Sequence, residues 1–69
     1  MKQLIIKDNK GKSYFVDDPC RFIQHLFDFH TLNREADLSI HEENGHYFTV
    51  TKKLIDEVNY FISNNKKRN

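Results

Sequence analysis

Asp37-Leu38-Ser39-Ile40-His41-Glu42-Glu43-Asn44-Gly45-His46-Tyr47-Phe48-Thr49-Val50 reads as a β-hairpin, and its pairing decides which side chains the fold leaves unused. Directly opposed residues of an antiparallel ribbon point to the same face. A two-residue turn at Asn44-Gly45 would set Ile40 opposite Thr49 and Leu38 opposite Thr51, apolar against polar. A three-residue loop, Glu43-Asn44-Gly45, instead pairs Leu38 with Val50, Ile40 with Phe48 and Glu42 with His46. Apolar alternation favours the second arrangement, with Gly45 in the left-handed position that closes such loops. On this reading Leu38, Ile40, Phe48 and Val50 face the core, and His41 opposes Tyr47 on the outer face.

Working outward, residues 3–7 and 12–16 form an earlier hairpin rich in Ile, Phe, Tyr and Val. The same rule gives it the loop Asn9-Lys10-Gly11 and pairs Leu4 with Val16 and Ile6 with Tyr14. Asp18 followed by Pro19 marks a helix start, since Asp can accept from the exposed amides and Pro suits the first helical position. That helix is expected to reach about residue 31, with 32–36 as a connector. Thr51 can cap a second helix from 52 to about 64. At about 100° per residue, Leu54, Ile55, Val58, Phe61 and Ile62 fall on one stripe. Phe22, Ile23, Leu26 and Phe29 do the same in the first helix, where Phe27 widens the stripe.

The two halves align. Leu4, Ile6, Gly11, Tyr14 and Val16 recur 34 residues on as Leu38, Ile40, Gly45, Phe48 and Val50, and the helical stripes recur at 32. Hairpins and amphipathic helices of unrelated origin also resemble one another, so the architecture does not depend on a duplication. The expected fold is α+β, in the order ββαββα with an internal pseudo-repeat. It is a four-stranded antiparallel sheet with two helices packed on one face, formed by a single domain over 1–64 with a polar basic tail at 65–69.

Sixty-nine residues make a small core, of the kind that often recruits a disulfide, a metal or a second subunit. A disulfide within the chain is excluded, because Cys20 is the only cysteine, and a reducing cytoplasm suits that. The apolar run at the N-terminus is too short for a signal peptide or a membrane span, which again predicts a cytoplasmic protein. Eleven Lys and Arg against ten Asp and Glu leave the chain nearly neutral, unlike a dedicated nucleic-acid binder or an acidic DNA mimic. One alanine and two glycines amid many Lys, Asn, Ile and Phe are the mark of AT-rich coding, as in low-GC bacteria and their phages.

No catalytic site is legible. Cys20 lies in the first turn of a helix, but His25 is five residues on and no base stands beside the thiol. The pairs Asp17-Asp18 and Glu42-Glu43 are explained by helix capping and by a turn. No nucleophile, base and oxyanion donor assemble, so the chain reads as a non-enzyme without a small-molecule substrate. Nor does spacing suggest a metal or other cofactor. His25 and His30 sit five apart, on different sides of their helix, whereas paired helical ligands sit three or four apart. His41 and His46 fall on opposite faces in the favoured register, and His30 reads as a half-buried residue favoured by the helix dipole.

What remains is surplus apolar surface. On the sheet face away from the helices the first hairpin opposes Ile5 with Phe15, where its counterpart carries Ser39 and Thr49. The pair His41 and Tyr47, with Phe27 and Tyr60 at the helix edges, extends this surface. A contiguous apolar patch on so small a domain marks an interface, either with itself as a homodimer or with another protein. The favoured function is therefore a small protein-binding regulator or inhibitor that blocks a partner, encoded by a phage or mobile element. The alternative uses the same open sheet to stack single-stranded nucleic acid, with Lys7, Lys66, Lys67 and Arg68 on phosphates.

Overall fold

The structure, a computed structural model, describes residues 3–65. It is a small α+β fold of two helices and antiparallel strands, but the strands form three two-stranded ribbons and not one four-stranded sheet. Strands β1 (Leu4–Lys7) and β2 (Ser13–Val16) form the first ribbon, and β3 (Thr31–Leu32) and β4 (Glu35–Ala36) a short second one. Strands β5 (Ile40–Glu43) and β6 (His46–Thr49) form the third. Helix α1 (Pro19–Phe29) lies between the first two ribbons in sequence, and α2 (Lys52–Asn65) ends the described chain.

The first ribbon has the expected register: Leu4 opposes Val16, Ile5 opposes Phe15 and Ile6 opposes Tyr14. Asp8 N–H donates to the Lys12 carbonyl at 2.8 Å, which closes the loop Asn9-Lys10-Gly11 with Gly11 at φ +81. Both helix caps are also as the residue types imply. The Asp18 carboxylate accepts from Arg21 N–H at 3.1 Å with Pro19 opening α1, and Thr51 Oγ1 accepts from Leu54 N–H at 3.1 Å. Leu54, Ile55 and Val58 are buried against Phe22, Ile23, Leu26, Leu4, Ile6 and Val16, with Phe61 and Ile62 at the margin.

The second hairpin overturns its expected register. Ile40 opposes Thr49, His41 opposes Phe48, Glu42 opposes Tyr47 and Glu43 opposes His46, so Asn44-Gly45 is a two-residue turn. Both turn residues have positive φ, +49 and +86, the geometry whose twist matches the flanking strands and which Asn-Gly favours. The expected link between Leu38 and Val50 survives in the backbone, where Leu38 N–H donates to the Val50 carbonyl at 3.0 Å. Val50 N–H, however, donates to Ser39 at 2.8 Å, so Leu38 and Ser39 together face one partner residue. That is a β-bulge, and Leu38 holds in it the left-handed conformation (φ +65) usually left to glycine.

A one-residue shift in a ribbon turns every following side chain over. Ile40 and Leu38 consequently point outward, 52% and 66% exposed, while His41 turns inward and is 4% exposed. The pseudo-repeat ends there, because Leu4 and Ile6 are buried where Leu38 and Ile40 are not. Holding a leucine at positive φ costs on the order of 1–2 kcal/mol. We expect Leu38→Gly to raise stability by about 0.5 kcal/mol, the relief exceeding glycine's own entropic cost. Denaturant midpoints measure this, and a marked destabilisation would place Leu38 in ordinary strand conformation.

The ribbons meet tip to edge. Asn9 N–H donates to the Tyr47 carbonyl at 2.7 Å, and the Asn9 side chain accepts from Thr49 N–H and donates to Thr49 Oγ1, both at 3.0 Å. A side-chain amide thus occupies the outer edge of β6 where a neighbouring strand would lie. Asp8 Oδ2 accepts from His46 Nδ1 at 2.7 Å, and Asn44 Nδ2 donates to the Tyr14 hydroxyl at 2.8 Å, which fixes the same junction. Residues 33 and 34, expected as plain connector, turn the β3–β4 ribbon with φ +54 and +69. Among the described residues no helix is long and apolar enough to cross a membrane.

Candidate functional site

Two groups of residues fall outside the ordinary needs of the fold. The first is the outer face of the first ribbon. Ile5 and Phe15 oppose each other there, 54% and 44% exposed, as β-alternation requires once Leu4, Ile6 and Val16 are committed to the core. Ile5 lines a shallow groove together with Gln3, Glu57, Phe61 and Tyr60, and Tyr60 is 73% exposed. A second groove continues past Tyr60 along α2, lined by Lys7, Lys53 and Asp56. Ile5, Phe15, Tyr60 and Lys7 are therefore brought to one side of the molecule.

The other residues expected on this face behave differently. Tyr47 is exposed on β6, but it opposes Glu42 and not His41. Phe27 is half-buried and packs against the core, so it is core margin. His41 is buried, because the bulge at Leu38-Ser39 turned it over, and it is lost both to the docking face and to any base-stacking platform. Lys66, Lys67 and Arg68 lie outside the described residues.

The second group is a cluster of histidines that the spacing argument held apart. His25, His30 and His41 each place a ring nitrogen within 4.8 Å of the others. Ring centroids stand 4.6 Å apart for His25 and His41, 5.2 Å for His30 and His41, and 5.5 Å for His25 and His30. The five-residue interval excludes a shared face only while both residues are helical. His30 is the residue after α1, at φ −130, ψ 22, and that non-helical conformation swings its ring back over the same side. The shifted register delivers His41 to meet it.

Hydrogen-bond partners select the tautomer of each neutral ring. Glu43 Oε1 lies 2.9 Å from His41 Nε2, and an ionised carboxylate only accepts, so Nε2 donates and the tautomer with a lone pair on Nδ1 is the one a ligand would meet in the neutral ring. Ser39 Oγ has one proton and donates it to Asp37 Oδ1. The 2.6 Å contact between Ser39 Oγ and His30 Nδ1 is then donated by the imidazole, which leaves His30 Nε2 bare. Asp37 is held below the usual carboxylate range by the Ser39 hydroxyl and amide, which keeps it an acceptor. Burial, then the neighbouring His41 and His25, hold His30 below the ordinary imidazole value of 6.5, against the opposing pull of Asp37. His30 is half-buried, as expected, but its surroundings work against a charged ring and not for one.

His25 has no hydrogen-bond partner among the described residues, and its exposed ring stacks near Phe29 at 4.7 Å. It lines an open groove with Arg21, Asp28 and Glu43. The expected pair of Glu42 and His46 does not form. Glu42 accepts from Gly45 N–H at 2.7 Å inside the turn, and His46 bonds Asp8. Cys20 is exposed and free. No protein-family model, no curated protein and no solved structure matched this chain.

Proposed function

We propose that this chain is a small cytoplasmic, non-catalytic protein-binding module, a regulator or inhibitor that docks the face around Ile5, Phe15 and Tyr60 on an apolar surface of a partner protein. The observation that carries this reading is the opposed, half-exposed Ile5 and Phe15 pair, whose Ile5 shares a groove with an exposed tyrosine, Tyr60. An antiparallel ribbon with one wet face ordinarily alternates apolar with polar residues, and this one is apolar on both faces at its centre. Aromatic side chains of this kind are the usual anchors of protein interfaces. The groove beside them carries both signs of charge, with Lys7 and Lys53 against Asp56 and Glu57, so it favours no polyanion.

Photo-crosslinking in the cells that make the protein tests the reading directly. Benzophenone placed at position 15 is expected to give one discrete adduct, lost when Ile5→Asp is added and absent when the probe sits at the exposed Ser63. Circular dichroism of each variant checks that the fold is kept. An adduct of twice the chain's own mass would make this face a homodimer contact and overturn the inhibitor reading. No adduct at position 15 would sink the docking face altogether.

A further inference from the structure

We propose that His25, His30 and His41 form a binding site for one divalent first-row transition ion of the zinc type. The site shares no residue with the docking face and goes beyond it. Three observations meet there. The three rings converge to within 4.8 Å at their nitrogens. Two of them are buried or half-buried and have a bare nitrogen that the hydrogen-bond network assigns, His30 Nε2 and His41 Nδ1. The opposite nitrogen of each is held by an acceptor that ends in a carboxylate: Glu43 directly on His41, and Asp37 through Ser39 on His30.

That last arrangement is what ligating histidines ordinarily have. A carboxylate on the far ring nitrogen fixes the tautomer, orients the ring and raises its basicity. Two carboxylates one step removed also balance the charge of a divalent ion among three neutral imidazoles. The ligand set itself selects the ion class, since imidazole suits zinc, copper and nickel, while calcium and magnesium require oxygen.

A tetrahedral ion with bonds of about 2.0–2.1 Å separates its ligand atoms by about 3.3 Å, so the nitrogens must close by up to about 1.5 Å. His25 can supply that movement, being exposed and free of hydrogen bonds among the described residues. The groove it lines with Arg21 and Asp28 gives the ion a way in. Three protein ligands leave a fourth position open.

The backbone supports the same assignment. Bulges often stand beside functional sites, where they re-aim a side chain. This one leaves Leu38 and Ile40 in water to bring His41 inward, and its Ser39 supplies the oxygen that orients His30.

Protein made without a histidine tag, titrated with zinc sulfate in competition with a chromophoric chelator at pH 7.5, tests the proposal. One ion per chain is expected, with a higher melting temperature, and cobalt(II) should give the visible bands of a four-coordinate site with three nitrogen ligands. His25→Ala, an exposed change that keeps the fold, should abolish stoichiometric binding. Glu43→Gln should weaken it about 10–100-fold. His46→Asn, which removes the histidine paired with Asp8, should still bind one ion. Absence of saturable binding at micromolar zinc overturns the site, as does unchanged affinity in His25→Ala or loss of the ion in His46→Asn.

Discussion

Phe48→Ala is expected to leave most of the chain unfolded at 25 °C. Phe48 is among the largest fully buried side chains, and its ring packs edge-on to Phe22 at 6.0 Å and beside Tyr14 at 5.7 Å. It is where the first ribbon, α1 and the third ribbon meet. Truncating a buried phenylalanine costs about 3–5 kcal/mol, from lost transfer energy and from the cavity left behind. A core of this size seldom supplies more than about 3–5 kcal/mol in total, so one substitution consumes the margin. Circular dichroism and amide proton dispersion should both report the loss. Phe48→Leu, which removes less volume, should keep a cooperative transition at a lower midpoint. A Phe48→Ala protein that unfolds cooperatively with a stability change under about 1 kcal/mol would show that the ring is not at the junction.

The parts of this fold that the residues announce are those where two signals agree. Asp18-Pro19 and Thr51 name helix starts, and the apolar stripes name the buried faces, with Leu26 and Val58 fully enclosed, except at Phe29, which closes the first stripe at the helix end and is 68% exposed. In the first hairpin, alternation and the Gly11 loop lead to one register. In the second they conflict. Asn44-Gly45 is the stronger turn signal, whereas Leu38 and Ile40 argue for a different loop, and alternation presumes that each strand holds no extra residue. The bulge breaks that presumption. Nothing in the side chain of Leu38 advertises a left-handed backbone, although Asp37 and Ser39 around it do carry the short polar groups that favour local turns, and Ser39 N–H indeed donates to Asp37 at 2.9 Å.

The site inherits the same division. Ile5 and Phe15 lie on the outer face expected of them because their ribbon has the expected register, whereas His41 lies on the face opposite to the one expected because its ribbon does not. The histidine cluster is invisible to spacing rules for a further reason. His30 stops being helical one residue before the expected helix end, so an interval of five no longer separates it from His25. A test for whether a helix end frees its last side chain would need the β3–β4 ribbon, whose turn at Asn33-Arg34 puts an arginine at φ +69 and leaves no usual mark in the sequence.

Replacing His41 should separate stability from chemistry. His41→Leu is expected to unfold within about 1 kcal/mol of the parent while losing the metal ion, and His41→Ala to cost about 2–3 kcal/mol. The imidazole is enclosed by Phe22 edge-on at 5.4 Å and by the rings of His25 and His30. Leucine nearly fills that volume and needs no hydrogen bond, whereas alanine leaves a cavity in a closely packed place. The partner it abandons decides the sign. Glu43 has a side chain 28% exposed, so its carboxylate regains water when the imidazole is gone, and no charge is stranded in the interior. Exchange of a buried polar group for an apolar one of similar size is then close to neutral. Chemical denaturation of both variants, with zinc titrated into each folded protein, measures the two effects separately. If His41→Leu loses more than about 2 kcal/mol, the Glu43–His41 bond is itself what holds β5 in its shifted register. The imidazole would then be there for the fold, and the case that position 41 is kept for a ligand would lose its structural support.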